Sequence, residues 1–307
     1  MEKQNRIWNM IGAAAIILGM IGAAVLFQDR EIIFPEIAAL CTGVFLAPKL
    51  PWKDTGLGKF LGLMTLSACL GIFLPTVIPL LWLRVVVGCA FALVCLTLTG
   101  SGLWPMLSAC ILPALMNVTT PVYLFSVAGC SLAIVLVKQV MGGFQQVRSD
   151  TDYRSWMVLR PRITGILWLL AYALIPCALG LTPLIAPPLF VLFLELYTEN
   201  DKQRGREWQI CLLGICCCTS GALLTLLLQH QLGGGPLLAG LVITPVVFAL
   251  LKGFRLYLPP VSALCYLPLI LPAEKLMTYP LFTGITLLVM TVFLRYRRSH
   301  CGNPAGH

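Results

Sequence analysis

The sequence predicts an all-α membrane protein: a polytopic transmembrane helical bundle of about 10–12 spans, built from two repeated halves. Three observations carry that expectation. Of 307 residues, 59% are hydrophobic and only 11% charged, and the mean hydropathy is +0.91. Soluble domains carry about 25% charged residues, so this chain has too few charges to cover a water-facing surface. Apolar runs of helix-spanning length then recur from end to end, continuous rather than alternating, which excludes a β-barrel. Finally, one proline-bracketed stretch occurs twice, as "LWPMLSACILP" from Leu103 to Pro113 and "LPPVSALCYLP" from Leu258 to Pro268.

The spans follow from apolar runs between charged or Pro/Gly breaks. In the first half they lie near 7–27, 32–48, 58–78, 80–99, 103–117 and 119–138. In the second they lie near 163–180, 183–197, 208–229, 235–251, 256–271 and 276–295. The first run follows "MEKQNR", is too long for the apolar core of a signal peptide and lacks a clear cleavage site, so it reads as a retained helix. The segments 103–117 and 256–271 are short and punctuated by proline; a tilted span, a broken helix and a re-entrant piece all remain open. The expected organisation is a first transmembrane repeat over 1–138, a cytoplasmic linker over 139–162, a second repeat over 163–298 and a cytoplasmic tail over 299–307.

Charge supplies the orientation. If all twelve segments cross, every Lys and Arg except Arg30, Arg84 and Lys275 falls on the side of the termini. Cytoplasmic loops are enriched in basic residues, so both termini are expected to be cytoplasmic, in the cell's inner (plasma) membrane. If the two short segments re-entered instead, the halves would be inverted and the basic linker external; the charge pattern favours parallel repeats. The net charge of +9 is spread over short loops, which points to topology and anionic lipid rather than nucleic acid.

Duplication extends beyond the proline motif. Arg6-Ile7 opens the first half and Arg162-Ile163 the second; Pro35 and Lys49 bracket a span and loop as Pro188 and Lys202 do. The offsets of 156, 153 and 155 residues drift as small loop insertions would make them. In membranes, related halves commonly enclose a substrate site near the midplane, built from interrupted helices. The pathway candidates are therefore Pro105, Ser108 and Pro113 in the first half and Pro259, Pro260, Ser262 and Pro268 in the second. The prolines each remove a backbone donor and leave carbonyls partly unpaired, and the serines offer hydroxyls; kinked packing helices without a ligand are the alternative reading.

The same stretches, "WPMLSACILP" and "PPVSALCYLP", resemble the signature segment of the HPP family of integral membrane proteins, His-Pro-Pro followed by small residues and Leu-Leu-Pro. Upstream, "FPEIAALCTGVFLAPKLPWKDTGLGKFLG" is similar to the earlier part of that family. The likeness covers roughly 30–140 and 185–295, as two family-like units in tandem. The signature histidine is replaced by Leu103 and Leu258, and Trp104 stands where the first copy would have proline. Some members are associated with nitrite transport, so the resemblance brings a small inorganic anion into the set of candidate solutes, without the histidine to bind it.

Charged residues within spans are costly and default to functional hypotheses. Glu36 near the external start of the second span is a proton or cation candidate, or an interfacial partner of Arg30. Arg84, just inside the fourth span, is an interfacial anchor or an attractor of anions. Glu195 is expected to snorkel or to pair with Lys202 or Arg204, and His230 to sit in a polar external turn. Thirteen cysteines lie mostly in apolar runs without ligand spacing and read as small apolar fillers; no metal, cofactor or catalytic residue is expected. "LGGGPL" lacks the Gly-Lys-Ser/Thr of a phosphate loop. The expected function is a secondary transporter or channel-like permease for a small solute. The alternatives are a non-transporting partner or structural subunit and, third, an intramembrane enzyme, which would need clustered Asp, Glu or His. Expected partners are the bilayer, the solute, and a second copy or another membrane subunit.

Overall fold

The structure, a computed structural model, describes residues 2–48, 50–52, 54–142, 153–198 and 205–300. The basic residues Lys49, Lys53, Arg148, Lys202 and Arg204, residues 143–152 of the linker and the tail from 301 to 307 lie outside them. The fold is an all-α polytopic bundle, with no strand among the described residues.

The first half comprises α1 (Glu2–Leu26), α2 (Glu36–Cys41, continued by a π-turn over Thr42–Leu46), α3 (Leu57–Val77), α4 (Leu81–Thr99), α5 (Pro105–Met116) and α6 (Pro121–Val140). The second comprises α7 (Trp156–Ala178), α8 (Pro187–Thr198), α9 (Glu207–Leu224, continued by a π-turn over Thr225–Gln231), α10 (Gly235–Phe254) and α11 (Pro259–Tyr266, continued by a 3-10 turn over Leu267–Ile270). A single turn, α12 (Ala273–Leu276), precedes α13 (Tyr279–His300). Among the described residues, eight helices are long and apolar enough to cross a membrane: α1, α3, α4, α6, α7, α9, α10 and α13. Between them stand the short elements α2, α5, α8 and α11, so the order long, short, long, long, short, long occurs twice.

Helix α7 begins at Trp156, seven residues before the apolar run that locates it in the sequence. Arg160, Pro161 and Arg162 are helical because backbone hydrogen bonding continues past the point where apolar composition stops. An apolar window measures the buried length, not the helix.

Buried and exposed faces separate the two kinds of helix. Large apolar side chains point outward on the long ones, for example Leu66 and Phe73 on α3, Phe125 and Leu136 on α6, and Leu167 and Trp168 on α7. Every residue of α5 from Pro105 to Ala114 is buried, as is every residue of α11. A lipid-facing helix needs ~20 residues to span the hydrocarbon; one enclosed by other helices escapes that demand, and 12 residues rise only about 18 Å. Proline fits these short elements. Pro105, Pro187 and Pro259 stand at the first helical position, where an N–H would have no intrahelical acceptor and would be left unpaired in a dry interior.

Contacts at the two ends show that the short segments run from one end of the bundle to the other. At the end of the termini, Arg162 donates to the Ser101 carbonyl at 3.1 Å just before α5, and Arg6 reaches the Tyr257 hydroxyl just before α11. The Trp52 indole donates to Glu195 at 3.3 Å after α2 and near the end of α8, and Arg298 donates to the Leu196 carbonyl at 3.2 Å. At the opposite end, Thr120 meets Glu31, and one cavity is lined by Ile33, Pro113 and Ile270. The chain thus alternates ends at each long helix and each short one.

The halves interlock. Helix α1 packs on α10 while α7 packs on α4, and α2 lies against α11 while α8 lies against α5. Arg6 of the first half is laid over the Tyr257 ring of the second, and Arg162 of the second over the Trp104 ring of the first.

Candidate functional site

Proline at a helix interior frees the carbonyl four residues earlier. Pro113 lies inside α5 and frees the carbonyl of Ala109; Pro268, just beyond α11, does the same for Leu264. In a bilayer interior such a group must find a partner. Both do: the Tyr123 hydroxyl donates to the Ala109 carbonyl at 3.2 Å, and the Tyr279 hydroxyl donates to the Leu264 carbonyl at 2.8 Å. The two tyrosines stand 156 residues apart, in the first turn of α6 and of α13, and their acceptors 155 apart. Sequence reasoning placed unpaired carbonyls at the prolines and missed these tyrosines. The available signal was a Tyr within two residues of a Pro at the start of the last long helix of each half.

The remaining motif prolines behave differently from that expectation. Pro105, Pro259 and Pro260 occupy the first turn of their helices, so they leave no carbonyl within the helix unpaired. With Phe in place of Tyr123 or Tyr279, the destabilisation is expected to be about 0.6–1.7 kcal/mol, the range of single hydrogen bonds between membrane helices. Changing Pro113 to Ala restores the helical donor, so Tyr123→Phe is expected to cost less in that background. Thermal melts of the four proteins in detergent read the coupling, and full additivity would detach Tyr123 from the proline.

Close packing accompanies this pattern. A Cβ on Gly71 would meet the Cys110 carbonyl oxygen at 2.5 Å, and one on Gly221 would meet the Cys265 carbonyl oxygen at 2.1 Å. Only glycine lets α3 approach α5, and α9 approach α11, this closely.

Glu36 opens α2 and is buried, 1% exposed. Ser108 of α5 donates its hydroxyl to Glu36 Oε1, while Oε2 has no hydrogen-bond partner among the described residues. Farther along α2, the Thr42 hydroxyl donates to Ser262 Oγ of α11 at 3.0 Å, and Ser262 donates to the Pro259 carbonyl at 2.7 Å. The structure thus brings Ser108 to Glu36, and Ser262 to the same short helix from the other half. The prolines flank these contacts, and Pro259 takes part through its backbone carbonyl.

Arg84 stands apart from this group. It is 7% exposed and folds back at the start of α4. Its guanidinium donates to the Ile78 carbonyl at 2.6 Å, the Ala114 carbonyl at 2.8 Å, the Pro79 carbonyl at 3.4 Å and the Asn117 side chain. A cation is poorly placed at the N-terminus of its own helix but well placed at the C-terminus of α5, whose last carbonyls it satisfies.

Of the other charged candidates, Glu195 is half-buried and accepts from Trp52, and His230 is exposed at the end of the α9 π-turn. Among the described residues no group of three His, Cys, Asp or Glu could hold a metal ion.

At the end opposite the termini lies a cavity of about 60 Å³, lined by the first half and by Ile270 of the second. Arg30, Glu31, Ile33, Pro113, Tyr123 and Ile270 are among the residues that line it. Tyr123 meets Phe34, two residues before Glu36, edge to face with ring centroids 5.7 Å apart. No family model matches this chain, and no curated protein or solved structure matches it either.

Proposed function

We propose that this integral membrane protein is a permease for a small solute, whose path runs between two duplicated halves through the short central helices. The observation that carries the reading is the buried polar contact at their meeting point: Glu36 with Ser108, and Thr42 with Ser262 from the other half. Apolar packing alone has no need of a carboxylate there, because a buried ionisable group costs free energy and defaults to a functional role at membrane depth. Duplication is supported by the paired Tyr–carbonyl bonds, the paired Gly–Cys approaches and the reciprocal arginines, all near the same sequence offset.

The likeness to the HPP family supports the same reading and keeps nitrite in the solute panel. Basic residues at the end of the termini support a cytoplasmic placement of both. A single cysteine at position 149, in an otherwise cysteine-free background, is then expected to resist impermeant thiol reagents added to intact cells. Labelling from outside would reverse the orientation.

Uptake into sealed proteoliposomes, with nitrite, nitrate and other small anions and neutral solutes, tests the function against protein-free vesicles. Saturable uptake of one solute is expected, reduced at least about tenfold when Thr42 and Ser262 are both changed to Val, each lost contact costing about 1 kcal/mol or more. A folded protein that moves none of the panel favours the second reading, a non-transporting partner subunit. An apolar groove of about 280 Å³ on the outer face of α7 and α13, lined by Trp168, Tyr172, Phe193 and Phe293, favours that alternative.

A further inference from the structure

We infer that Glu36 is a proton-exchange site reached from the end opposite the termini, so that the chain carries one exchangeable proton on its solute path; this rests on the permease reading. An ionised carboxylate at membrane depth costs several kcal/mol unless a positive charge meets it. The two guanidinium groups buried among the described residues are placed elsewhere. Arg84 is bonded to the carbonyls around the end of α5. Arg162 lies at the other end of the bundle, against Ser101, Trp104 and Tyr153.

The neutralising species is therefore a proton or a small cation. Hard metal cations take six or more oxygen ligands. Glu36 has one hydroxyl, from Ser108, and the nearby Tyr123 hydroxyl is committed to Ala109. That set is too small for a metal ion and sufficient for a proton.

Access comes from the same end. The cavity of about 60 Å³ exceeds the ~10–15 Å³ that one water requires, and its lining residues Ile33 and Tyr123 bring it to the start of α2, where the Tyr123 ring meets Phe34, two residues before Glu36. The charged side chains at its mouth are Arg30 and Glu31, the latter held by Thr120. The other titratable side chains described on elements packed against α2 are Arg6 on α1, Cys110 on α5, Tyr123, Cys130 and Lys138 on α6, and Cys265 and Tyr266 on α11. None of these is a carboxylate, and the two cations lie toward the end of the termini, Arg6 over the Tyr257 ring and Lys138 over the Phe45 ring. By the offset of 153 that relates Pro35 to Pro188, the counterpart of Glu36 is Leu189, which is fully buried. One half carries the acid and the other does not.

The test uses dicyclohexylcarbodiimide, an apolar reagent to which a protonated carboxyl adds across the C=N bond, on the purified full chain in detergent. Peptide mass spectrometry is expected to find the adduct on Glu36, absent in Glu36→Gln. Labelling should fall roughly tenfold per pH unit once the acid is titrated, and be unchanged by sodium or lithium at fixed pH. No adduct on Glu36 of the folded wild type at low pH overturns the inference. Protection by sodium or lithium also overturns it, in favour of a metal-cation site. Uptake separates the two readings: labelling without transport of any solute leaves the proton site and removes the permease. Transport with the same rate and pH profile in wild type and Glu36→Gln leaves the permease and removes the proton site.

Discussion

Gly221→Val is expected to abolish the folded protein, or to destabilise it by about 3 kcal/mol or more. Inserting a side chain into a packed core usually costs 1–3 kcal/mol, through shifted rotamers and small backbone movements. Here the obstacle is backbone itself: a Cβ on Gly221 would sit 2.1 Å from the Cys265 carbonyl oxygen, 2.8 Å from its carbon and 2.9 Å from its Cα. No rotamer change relieves that clash, so α9 and α11 must separate, and with them the enclosure that lets α11 be short. Gly71→Val is expected to do the same to α3 and α5 with a smaller effect, since its nearest approach is 2.5 Å. Gly129→Val in α6 is the control, with open space around its Cβ position. Yield of monodisperse protein and the melting temperature in detergent are the measurements. Wild-type behaviour of Gly221→Val would mean that α9 and α11 are not in contact as described.

Arg84→Ala is expected to cost about 3–5 kcal/mol, taking 1–3 kcal/mol for each buried carbonyl left without a donor. The bonds to Ile78 and Ala114 are the short ones, and both acceptors lie outside regular helical bonding, in the loop after α3 and in the last turn of α5. Water cannot replace the guanidinium there without opening the end of the bundle. Arg84→Lys is expected to recover only part of the loss, because one ammonium cannot reproduce the planar fork that reaches both helices. The check is the melting temperature of the three proteins beside Arg30→Ala, whose side chain is at the cavity mouth. If Arg84→Ala melts like wild type but slows anion uptake, Arg84 belongs to the solute path instead of the scaffold.

Much of this architecture is legible along the chain. Charge and apolar length locate the spans, and the matched basic loops place both termini at one end; the contacts of Arg6, Arg162 and Arg298 gather that end together. The proline motif marked α5 and α11 as unusual, and Glu36 stood out as an acid in an apolar run. What could not be read was which groups meet. Ser108 is one residue out of register with Ser262 in the motif alignment, yet each touches α2, one through Glu36 and the other through Thr42. Tyr123 and Tyr279 sit in ordinary apolar runs and acquire meaning only from the carbonyls they reach.

The sequence by itself determined that the chain is a helical membrane bundle, how many apolar segments it has, and that its halves share an order and a proline motif. Only the tertiary structure decided that the short helices form the centre, that tyrosines answer the proline-freed carbonyls, and that Arg84 clamps a neighbouring helix. The physical reason is that lipid and protein interior are equally apolar, so a membrane helix carries no hydrophobic stripe to say which face is buried. Small residues and hydrogen-bonding groups choose the partners, and both act only across contacts distant in sequence.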